Sequence, residues 1–268
     1  MQEYNVMTTF NLWQNTPGLC EEIPTITAYV PENKKSDGAV VIFPGGGYTK
    51  RAEHEGRGYA EFLQAHGITA FVVEYRVAPH HFPLPLLDAR RGVRWVRANA
   101  DKYGLDKNKI AVMGSSAGGH LAALTSTYLD GIDFEGIDEI DNEDFLPNAQ
   151  ILCYPVICSP NDDGVAHLGS YKNLIGGEDR EFERKLDPHR NVSEKTPRAF
   201  IWHTAEDTGV NVINSYRYAT ELRKFDIRVE MHIFPDGRHG LGLAPSIPHT
   251  AQWAELLINW LTYIEWIK

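Results

Sequence analysis

The chain has few cysteines and no long apolar run. Its 268 residues include three cysteines, Cys20, Cys153 and Cys158, an odd number that does not indicate a disulfide framework. No apolar run approaches the length that crosses a bilayer. A secretory leader would need a basic segment and then an apolar segment after Met1, and the first residues have neither. We therefore expect reduced thiols and a cytoplasmic protein.

Positive charge is also scarce. Lysine and arginine total 26 against 36 aspartates and glutamates, so the formal net charge is −10 at pH 7. Nucleic acids and anionic membranes both favour proteins with a basic face. We therefore expect neither as a partner, and a small molecule or an oligosaccharide is the remaining kind of ligand. The sequence carries no signal for an oligomeric state.

Two kinds of apolar segment alternate along the chain. Short β-branched runs predict strands at 26–30, 39–43, 69–75, 110–113, 149–154, 199–204 and 228–234, and apolar residues at helical spacing predict helices at 54–66, 86–103, 119–127, 212–225 and 251–267. Repeated βα units predict a single α/β domain over residues 1–268, with a mostly parallel central sheet flanked by helices. Ligands bind beyond the carboxyl ends of such strands, so residues directly after strands are the first functional candidates.

Two segments interrupt the alternation. Residues 158–196 have few periodicities and are predicted to form a small cap or lid over the crevice. Residues 130–147 are acidic and rich in turn formers, which predicts a solvated surface loop. A calcium loop is the alternative, but the ligand spacing and central glycine of an EF-hand do not match. The helix at 86–103 is expected to carry a basic outer face, formed by Arg90, Arg91, Arg94 and Arg97.

Residues 109–124 join a predicted strand to a predicted helix through Gly-Ser-Ser-Ala-Gly. A serine on such a tight turn has a strained backbone, and it needs glycine two residues before and two residues after because side chains there would collide. Ser116 has Gly114 and Gly118 at these positions, whereas Ser115 does not meet the requirement. We predict that Ser116 is a nucleophile. A glycine-rich turn with a capping serine is the alternative.

A serine nucleophile needs a general base and a carboxylate that orients the base. Among the 11 histidines, His239 lies in a glycine-containing loop directly after the last predicted strand, and we predict that it is the base. The loop after residues 199–204 offers two carboxylates, Glu206 and Asp207. We predict that Asp207 is the acid, with Glu206 as the alternative.

Three glycines follow the strand at 39–43, in the sequence Pro-Gly-Gly-Gly-Tyr at 44–48. Glycine permits unusual backbone dihedral angles and leaves room for main-chain N–H groups to point at a developing oxyanion. We expect the N–H groups of Gly46, Gly47 and Ala117 to form an oxyanion hole. A phosphate loop is the alternative, but no Gly-Lys-Ser/Thr follows and the Gly-x-Gly-x-x-Gly spacing is not met.

The remaining candidates concern ligands. We expect no metal and no cofactor, because the pairs His54-Glu55 and His80-His81 lack further ligands at the required spacing. Aromatic and histidine side chains beside strand ends could wall an acyl or sugar site, with packing beneath the crevice as the equal alternative. They are Tyr48, His120, Tyr154 and Trp202.

Five segments that span nearly the whole chain resemble the α/β-hydrolase esterases, most closely the acetyl xylan esterase and acetyl esterase branch. They are PGGGY at 44–48, YRVAP at 75–79, GSSAGGH at 114–120, WHTAED at 202–207 and GRHG at 237–240. The resemblance implies an α/β-hydrolase fold and assigns the nucleophile to Ser116, the acid to Asp207 and the base to His239, in the chain order of that fold. It also implies hydrolysis of short acyl esters, acetyl above all, on sugars or xylo-oligosaccharides through an acyl-enzyme.

Other functions stay open at the level of sequence. A feruloyl esterase or a general short-chain carboxylesterase would use the same residues on a different ester. A peptidase or amidase of the same fold is a further alternative, although nothing in the sequence resembles an added propeller domain. A binding protein without activity would be expected to lack one triad residue, and this chain has a candidate for each.

Overall fold

One central sheet organises the chain. The computed structural model describes residues 6–18, 22–129, 132, 134, 136–160 and 164–267. The strands of this part are β1 (Val6–Asn11), β2 (Thr25–Val30), β3 (Ala39–Phe43), β4 (Thr69–Glu74), β5 (Ile110–Ser115), β6 (Ala149–Cys153), β7 (Arg198–Thr204) and β8 (Val229–Phe234). They form one eight-stranded sheet in the order β1-β2-β4-β3-β5-β6-β7-β8. β2 is antiparallel to both of its neighbours, and all other neighbouring strands are parallel.

Helices cover both faces of the sheet. They are α1 (Glu53–Ala65), α2 (Leu84–Ala98), α3 (Ala117–Thr127), α4 (Leu168–Ile175), α5 (Arg180–Lys185), α6 (Ile213–Lys224), α7 (Pro248–Ala251) and α8 (Trp253–Tyr263). Alternate strand residues point to opposite faces, so Val41 packs in a core with α2, α3 and α6, and Val40 in a second core with α1 and α8. Within the described residues, none of the helices combines the length and the hydropathy of a bilayer-spanning segment.

The parallel register brings the ends of the central strands to one edge. Phe43 at the end of β3 lies opposite Gly114 of β5, and Ser115 lies opposite Cys153 at the end of β6. Thr204 and Phe234, which end β7 and β8, also lie opposite each other. The loops after these five strands therefore leave the sheet together. This confirms the predicted α/β fold and fixes the edge where its functional loops meet.

The predicted basic outer face of α2 is wrong. Arg90, Arg91 and Arg97 are buried, with exposures of 6%, 1% and 6%. Arg91 pairs with Asp138 at 2.6 Å and with Asp141 at 2.9 Å. A buried arginine needs such carboxylates, because an unpaired charge is costly away from water. They come from a distant segment that no local periodicity of α2 reveals.

The same contacts correct the prediction of a solvated loop at 130–147. In the described part of this segment, Asp141 is nearly buried and Ile137 and Ile140 pack against the core beside α2. Residues 130, 131, 133 and 135 lie outside the described part. Acidic side chains of the segment 130–147 therefore pair with arginines of α2, and both were predicted from the sequence to face solvent.

The segment 158–196 carries two helices that sequence periodicity did not predict, α4 and α5, and a short 3-10 turn at Pro188–Asn191. Residues 161–163 lie outside the described part. α4 is attached to the functional edge: Asn173 Nδ2 donates to Gly47 O at 2.8 Å, and Leu174 O accepts from Phe82 N at 2.7 Å. The helix therefore packs beside the glycine loop that follows β3.

Candidate active site

β5 turns into α3 at Ser116, which has φ 54° and ψ −119°. The two flanking glycines are a steric requirement. A Cβ on Gly114 would lie 2.1 Å from Gly118 O, and a Cβ on Gly118 would lie 2.1 Å from Phe43 O. The left-handed φ of a non-glycine residue costs energy and persists only where the surroundings impose it. The turn that the sequence motif predicts is thus present, with Ser116 at its tip.

Ser116, His239 and Asp207 form one chain of hydrogen bonds. His239 Nε2 lies 2.8 Å from Ser116 Oγ, and His239 Nδ1 lies 2.7 Å from Asp207 Oδ2. Ser116 and His239 are 123 positions apart in the chain, and the shared sheet edge brings them together. Glu206, the alternative acid, is exposed to solvent, whereas Asp207 is buried. The geometry therefore favours Asp207 over Glu206.

Asp207 stays ionised because its carboxylate is surrounded by donors. Its Oδ1 accepts from the N–H groups of Gly209 and Val210, both at 2.8 Å. Its Oδ2 accepts from His239 and from His203, the latter at 3.2 Å. Burial pushes the pKa of Asp207 upward, but the hydrogen bonds from His203 and His239 and the charge of His239 outweigh it, so the pKa lies well below its ordinary value.

The glycine loop after β3 passes close to the serine turn. A Cβ on Gly45 would lie 2.6 Å from Ser115 O, and a Cβ on Gly46 would lie 2.2 Å from Lys50 O. Gly46 and Gly47 have φ values of 134° and 65°, which glycine tolerates. The Gly45 N–H donates to Glu55 Oε2 at 3.0 Å. No acceptor among the described residues takes the N–H of Gly46 or Gly47.

Ala117 begins α3 at the serine turn. The first N–H groups of a helix have no acceptor within the helix, and they carry the positive end of the helix dipole. The N–H of Ala117 therefore has the character of an anion donor. The predicted oxyanion donors belong to two segments, the glycine loop with Gly46 and Gly47 and the start of α3 at Ala117. The glycine loop passes Ser116 at Gly45, where an added Cβ would lie 3.2 Å from Ser116 Cβ.

Tyr48 and His120 are buried beneath the glycine loop rather than placed on a wall of the crevice, each with 1% exposure. His120 Nε2 lies 2.9 Å from Leu186 O, which only accepts, so Nε2 carries the proton and Nδ1 accepts from Tyr48 OH at 2.7 Å. Burial lowers the pKa of His120 to about 4. We therefore correct their predicted role from sugar contact to a neutral, hydrogen-bonded support.

Tyr154 and Trp202 are likewise buried, with exposures of 2% and 0%. Trp202 stacks on Trp253 of α8 with ring centroids 4.7 Å apart, in the core on one face of the sheet. Tyr154 packs its ring against His239, with centroids 5.2 Å apart. Packing beneath the crevice is what the structure shows, because strand-end side chains alternate between the two faces and these point into the core.

Glu55 is a buried carboxylate at the site that sequence reasoning did not assign. It is 3% exposed, and its Oε1 accepts from Tyr154 OH at 2.7 Å. The only sequence signal is a charge on the apolar face of α1, one turn before Tyr59 and two turns before Leu63. Within the part of the chain that the structure describes, no group of three His, Cys, Asp or Glu residues could hold a metal ion.

A strained serine follows a central parallel strand and bonds to a histidine, which bonds in turn to an aspartate, and both partners come from the loops after later strands. This arrangement defines an α/β-hydrolase. The chain belongs to the BD-FAE family, whose model matches residues 26–222. These findings confirm the resemblance seen in the sequence.

Among curated proteins, the chain is similar to endo-1,4-beta-xylanase B of Butyrivibrio fibrisolvens, with 34% identity over 87% of this chain and 38% of the relative. It is also similar to an acetylxylan esterase of Xylanibacter ruminicola, with 32% identity over 89% of this chain and 48% of the relative. The chain thus spans less than half the length of either relative.

Two solved structures share the fold over nearly the whole of both chains. An acetyl ester-xyloside bifunctional hydrolase from Caldicellulosiruptor lactoaceticus is 40% identical, with a TM-score of 0.90 over 97% of both chains. MGS-M1, an α/β hydrolase enzyme from a deep-sea metagenome library, is 28% identical, with a TM-score of 0.73 over 97% of this chain and 98% of its own.

Proposed function

We propose that the chain is a serine esterase that hydrolyses short acyl esters, acetyl above all, on sugars or xylo-oligosaccharides. The support is the chain of hydrogen bonds from Ser116 through His239 to Asp207, at 2.8 and 2.7 Å. The names of an acetylxylan esterase and an acetyl ester-xyloside hydrolase among its relatives favour acetylated sugars as the substrate class. A general short-chain carboxylesterase is the second candidate, because other esterases and carboxylesterases are also similar.

The proposed reaction is a two-step acyl transfer. His239 Nε2 takes the proton of Ser116 Oγ as the oxygen attacks the ester carbonyl, and Asp207 holds the ring and stabilises the imidazolium. The tetrahedral intermediate collapses as His239 gives its proton to the leaving alcohol, which breaks the ester C–O bond. Water then attacks the acyl-enzyme by the same route and releases the carboxylic acid and Ser116.

The oxyanion of each tetrahedral intermediate is stabilised by N–H groups. Those of Ala117, Gly46 and Gly47 are the proposed donors. Ala117 directly follows Ser116, the glycine loop passes close to Ser116 at Gly45, and the N–H groups of Gly46 and Gly47 are taken by no acceptor among the described residues. Charge that develops in a site of preorganised donors needs little reorganisation, which lowers the barrier. Every step uses groups of the chain and water, so the proposal includes no cofactor.

Residues 158–196 are proposed to act as a cap on this site within a single domain. The support is the hydrogen bond from Asn173 of α4 to Gly47 O of the glycine loop, at 2.8 Å.

We also propose a cytoplasmic location and no nucleic-acid or membrane partner. The buried thiols of Cys153 and Cys158 support the location, and the net charge of −10 supports the absence of such partners. Cys20 lies outside the described residues.

The test is acetate release from acetylated xylo-oligosaccharides, compared with p-nitrophenyl acetate, p-nitrophenyl butyrate, methyl ferulate and a peptide anilide. We expect Ser116→Ala to abolish turnover while the circular dichroism spectrum stays unchanged. Ser126→Ala is the control, because Ser126 is a buried serine of α3 whose hydroxyl, among the described residues, bonds to Ala122 O of its own helix at 2.8 Å. Full activity of Ser116→Ala would refute the proposal, and faster turnover of butyrate or ferulate would favour a carboxylesterase or a feruloyl esterase.

A further inference from the structure

The candidate acid is held by a second histidine that the proposed reaction does not use. His203 lies within β7 and is fully buried, with 0% exposure. Its Nε2 is 3.2 Å from Asp207 Oδ2 and 2.9 Å from Val210 O. Its Nδ1 is 2.8 Å from the hydroxyl of Ser215 in α6. Ser215 is also fully buried.

The neighbours of His203 determine where its proton lies. Val210 O can only accept, so His203 Nε2 carries the hydrogen and shares it between Val210 O and Asp207 Oδ2. In the neutral ring Nδ1 then has a lone pair, and it accepts from the O–H of Ser215. This arrangement satisfies both nitrogens without placing a charge on a ring that has no contact with water.

Asp207 therefore stands between two serine–histidine pairs. In the first pair, Ser116 donates to His239, and His239 donates to Asp207 Oδ2 at 2.7 Å. In the second pair, Ser215 donates to His203, and His203 donates to the same oxygen at 3.2 Å. Together with the two backbone N–H groups on Oδ1, the carboxylate accepts four hydrogen bonds. The catalytic imidazole competes with His203 for one oxygen.

We propose that His203, oriented by Ser215, is a positioning residue that moderates how strongly Asp207 stabilises the protonated form of His239, and thereby sets the pH at which the base becomes active. The inference rests on the proposed esterase function. It gives His203 and Ser215 a role in the pH dependence of the reaction, which side chains that only pack in the core would not have.

The physical basis is competition for the negative charge of Asp207. A hydrogen bond to a carboxylate draws charge toward its donor, and bonds to charged groups are stronger than those between neutral groups. Without the His203 donor, Asp207 would interact more strongly with protonated His239, which would then lose its proton only at higher pH. The acid limb of the pH–activity profile would therefore move to higher pH. If His203 only kept Asp207 in place, its loss would let the carboxylate turn away, and the acid limb would move to lower pH.

Two other titratable groups lie near His203 and His239, and the variants used in the test leave both unchanged. Tyr154, directly after β6, has its ring 6.5 Å from that of His203 and 5.2 Å from that of His239. His167, at the start of α4, interacts electrostatically with His239 and Asp207, and burial together with the charge of His239 lowers its pKa. A shift caused by His203 must therefore be measured with Tyr154 and His167 intact.

The experiment measures kcat/KM for p-nitrophenyl acetate from pH 5 to 9 in wild type, His203→Phe and His203→Gln. Phenylalanine fills the space without a donor, whereas glutamine places an amide N–H near the position of Nε2. We expect His203→Phe to move the acid limb to higher pH by ~0.5 to 1 pH unit, the scale of one lost net hydrogen bond. His203→Gln is expected to restore the wild-type limb. An unchanged or lowered limb in folded His203→Phe would overturn the inference.

Two further variants keep the test decisive if His203→Phe does not fold. Ser215→Ala removes the hydroxyl that fixes the proton on Nε2, and we expect a smaller upward shift; a limb at or below that of wild type would overturn the inference. Tyr218→Phe is the control, because it removes another buried hydroxyl of α6, which donates to Gln150 at 2.8 Å, and should leave the profile unchanged. A wild-type chain without esterase activity would instead refute the proposed function.

Discussion

Glu55 and Tyr154 are joined by a hydrogen bond of 2.7 Å that links the two halves of the candidate site. The other oxygen of Glu55 accepts from Gly45 N in the glycine loop at 3.0 Å, and the hydroxyl of Tyr154 accepts from Gly242 N in the loop of His239 at 2.9 Å. One buried carboxylate and one phenol thus connect the glycine loop to the loop that carries His239.

We expect Tyr154→Phe to destabilise the protein by about 1–3 kcal/mol, because Glu55 and Gly242 N would each lose a partner in a buried place. Urea unfolding followed by tryptophan fluorescence measures this change. Tyr263→Phe is the matched control, since Tyr263 is 70% exposed and should leave the free energy of unfolding unchanged. Equal stability of Tyr154→Phe and wild type would contradict the proposed linkage.

Gly46→Ala is expected to lower kcat by on the order of 10²–10³, the loss seen when one oxyanion donor is removed. Its φ of 134° disfavours alanine, and a Cβ would lie 2.2 Å from Lys50 O, so the backbone of the glycine loop must shift. Gly58→Ala in α1 is the control, because a Cβ there meets nothing within 4 Å. We expect its ester turnover to match wild type. If both variants had wild-type kcat, the glycine loop would not contribute donors.

Asp207→Asn is expected to lower kcat by roughly 10⁴, as removal of the charge that orients the base does in other triads. Glu206→Gln changes the adjacent, exposed carboxylate and should leave kcat within twofold (about 0.4 kcal/mol) of wild type. Steady-state hydrolysis of p-nitrophenyl acetate separates the two acids. A large loss in Glu206→Gln with a small one in Asp207→Asn would reverse the assignment.

Asp207 should also make stability depend on pH. Its pKa in the folded protein lies below that of an unfolded aspartate, which is about 4, so its contribution is fully present above that pH and is lost as pH falls toward the folded value. We therefore expect the gap in unfolding free energy between wild type and Asp207→Asn to shrink between pH 6 and pH 3. Urea titrations at each pH measure the gap, and a constant or widening gap would contradict the shift.

Arg91→Ala is expected to cost about 3–5 kcal/mol of stability, because it leaves Asp138 and Asp141 without their buried partner. Arg57→Ala is the control, since the pairs of Arg57 with Glu53 and Glu61 are exposed and pairs of that kind contribute little to stability. Thermal unfolding compares the two variants. Similar losses for both would show that the acidic segment does not depend on the buried arginine.

Sequence periodicity predicted the strands and helices of the α/β core, because their apolar residues repeat at the spacing of the structure that buries them. α2 shows where it fails. A sequence pattern counts the arginines of that helix as polar and places them on the surface. The burial of Arg91 depends on the distant Asp138 and Asp141, which pair with its charge. α4 and α5 were missed for a related reason, since both are short and their order depends on packing against the rest of the domain.

The serine motif and the loop positions of Asp207 and His239 followed from the sequence alone, because sterics restrict the residues around a tight turn and parallel strands bring their following loops to one edge. Tertiary structure decided what the spacing of residues in the sequence does not determine. It decided which carboxylate reaches the ring of His239, and that Tyr48, His120, Tyr154 and Trp202 are buried. It also decided that His203, which is bonded to Ser215, contacts Asp207. Local sequence sets backbone geometry and the direction of each strand. Contacts between side chains far apart in the chain depend on how the completed sheet and helices pack.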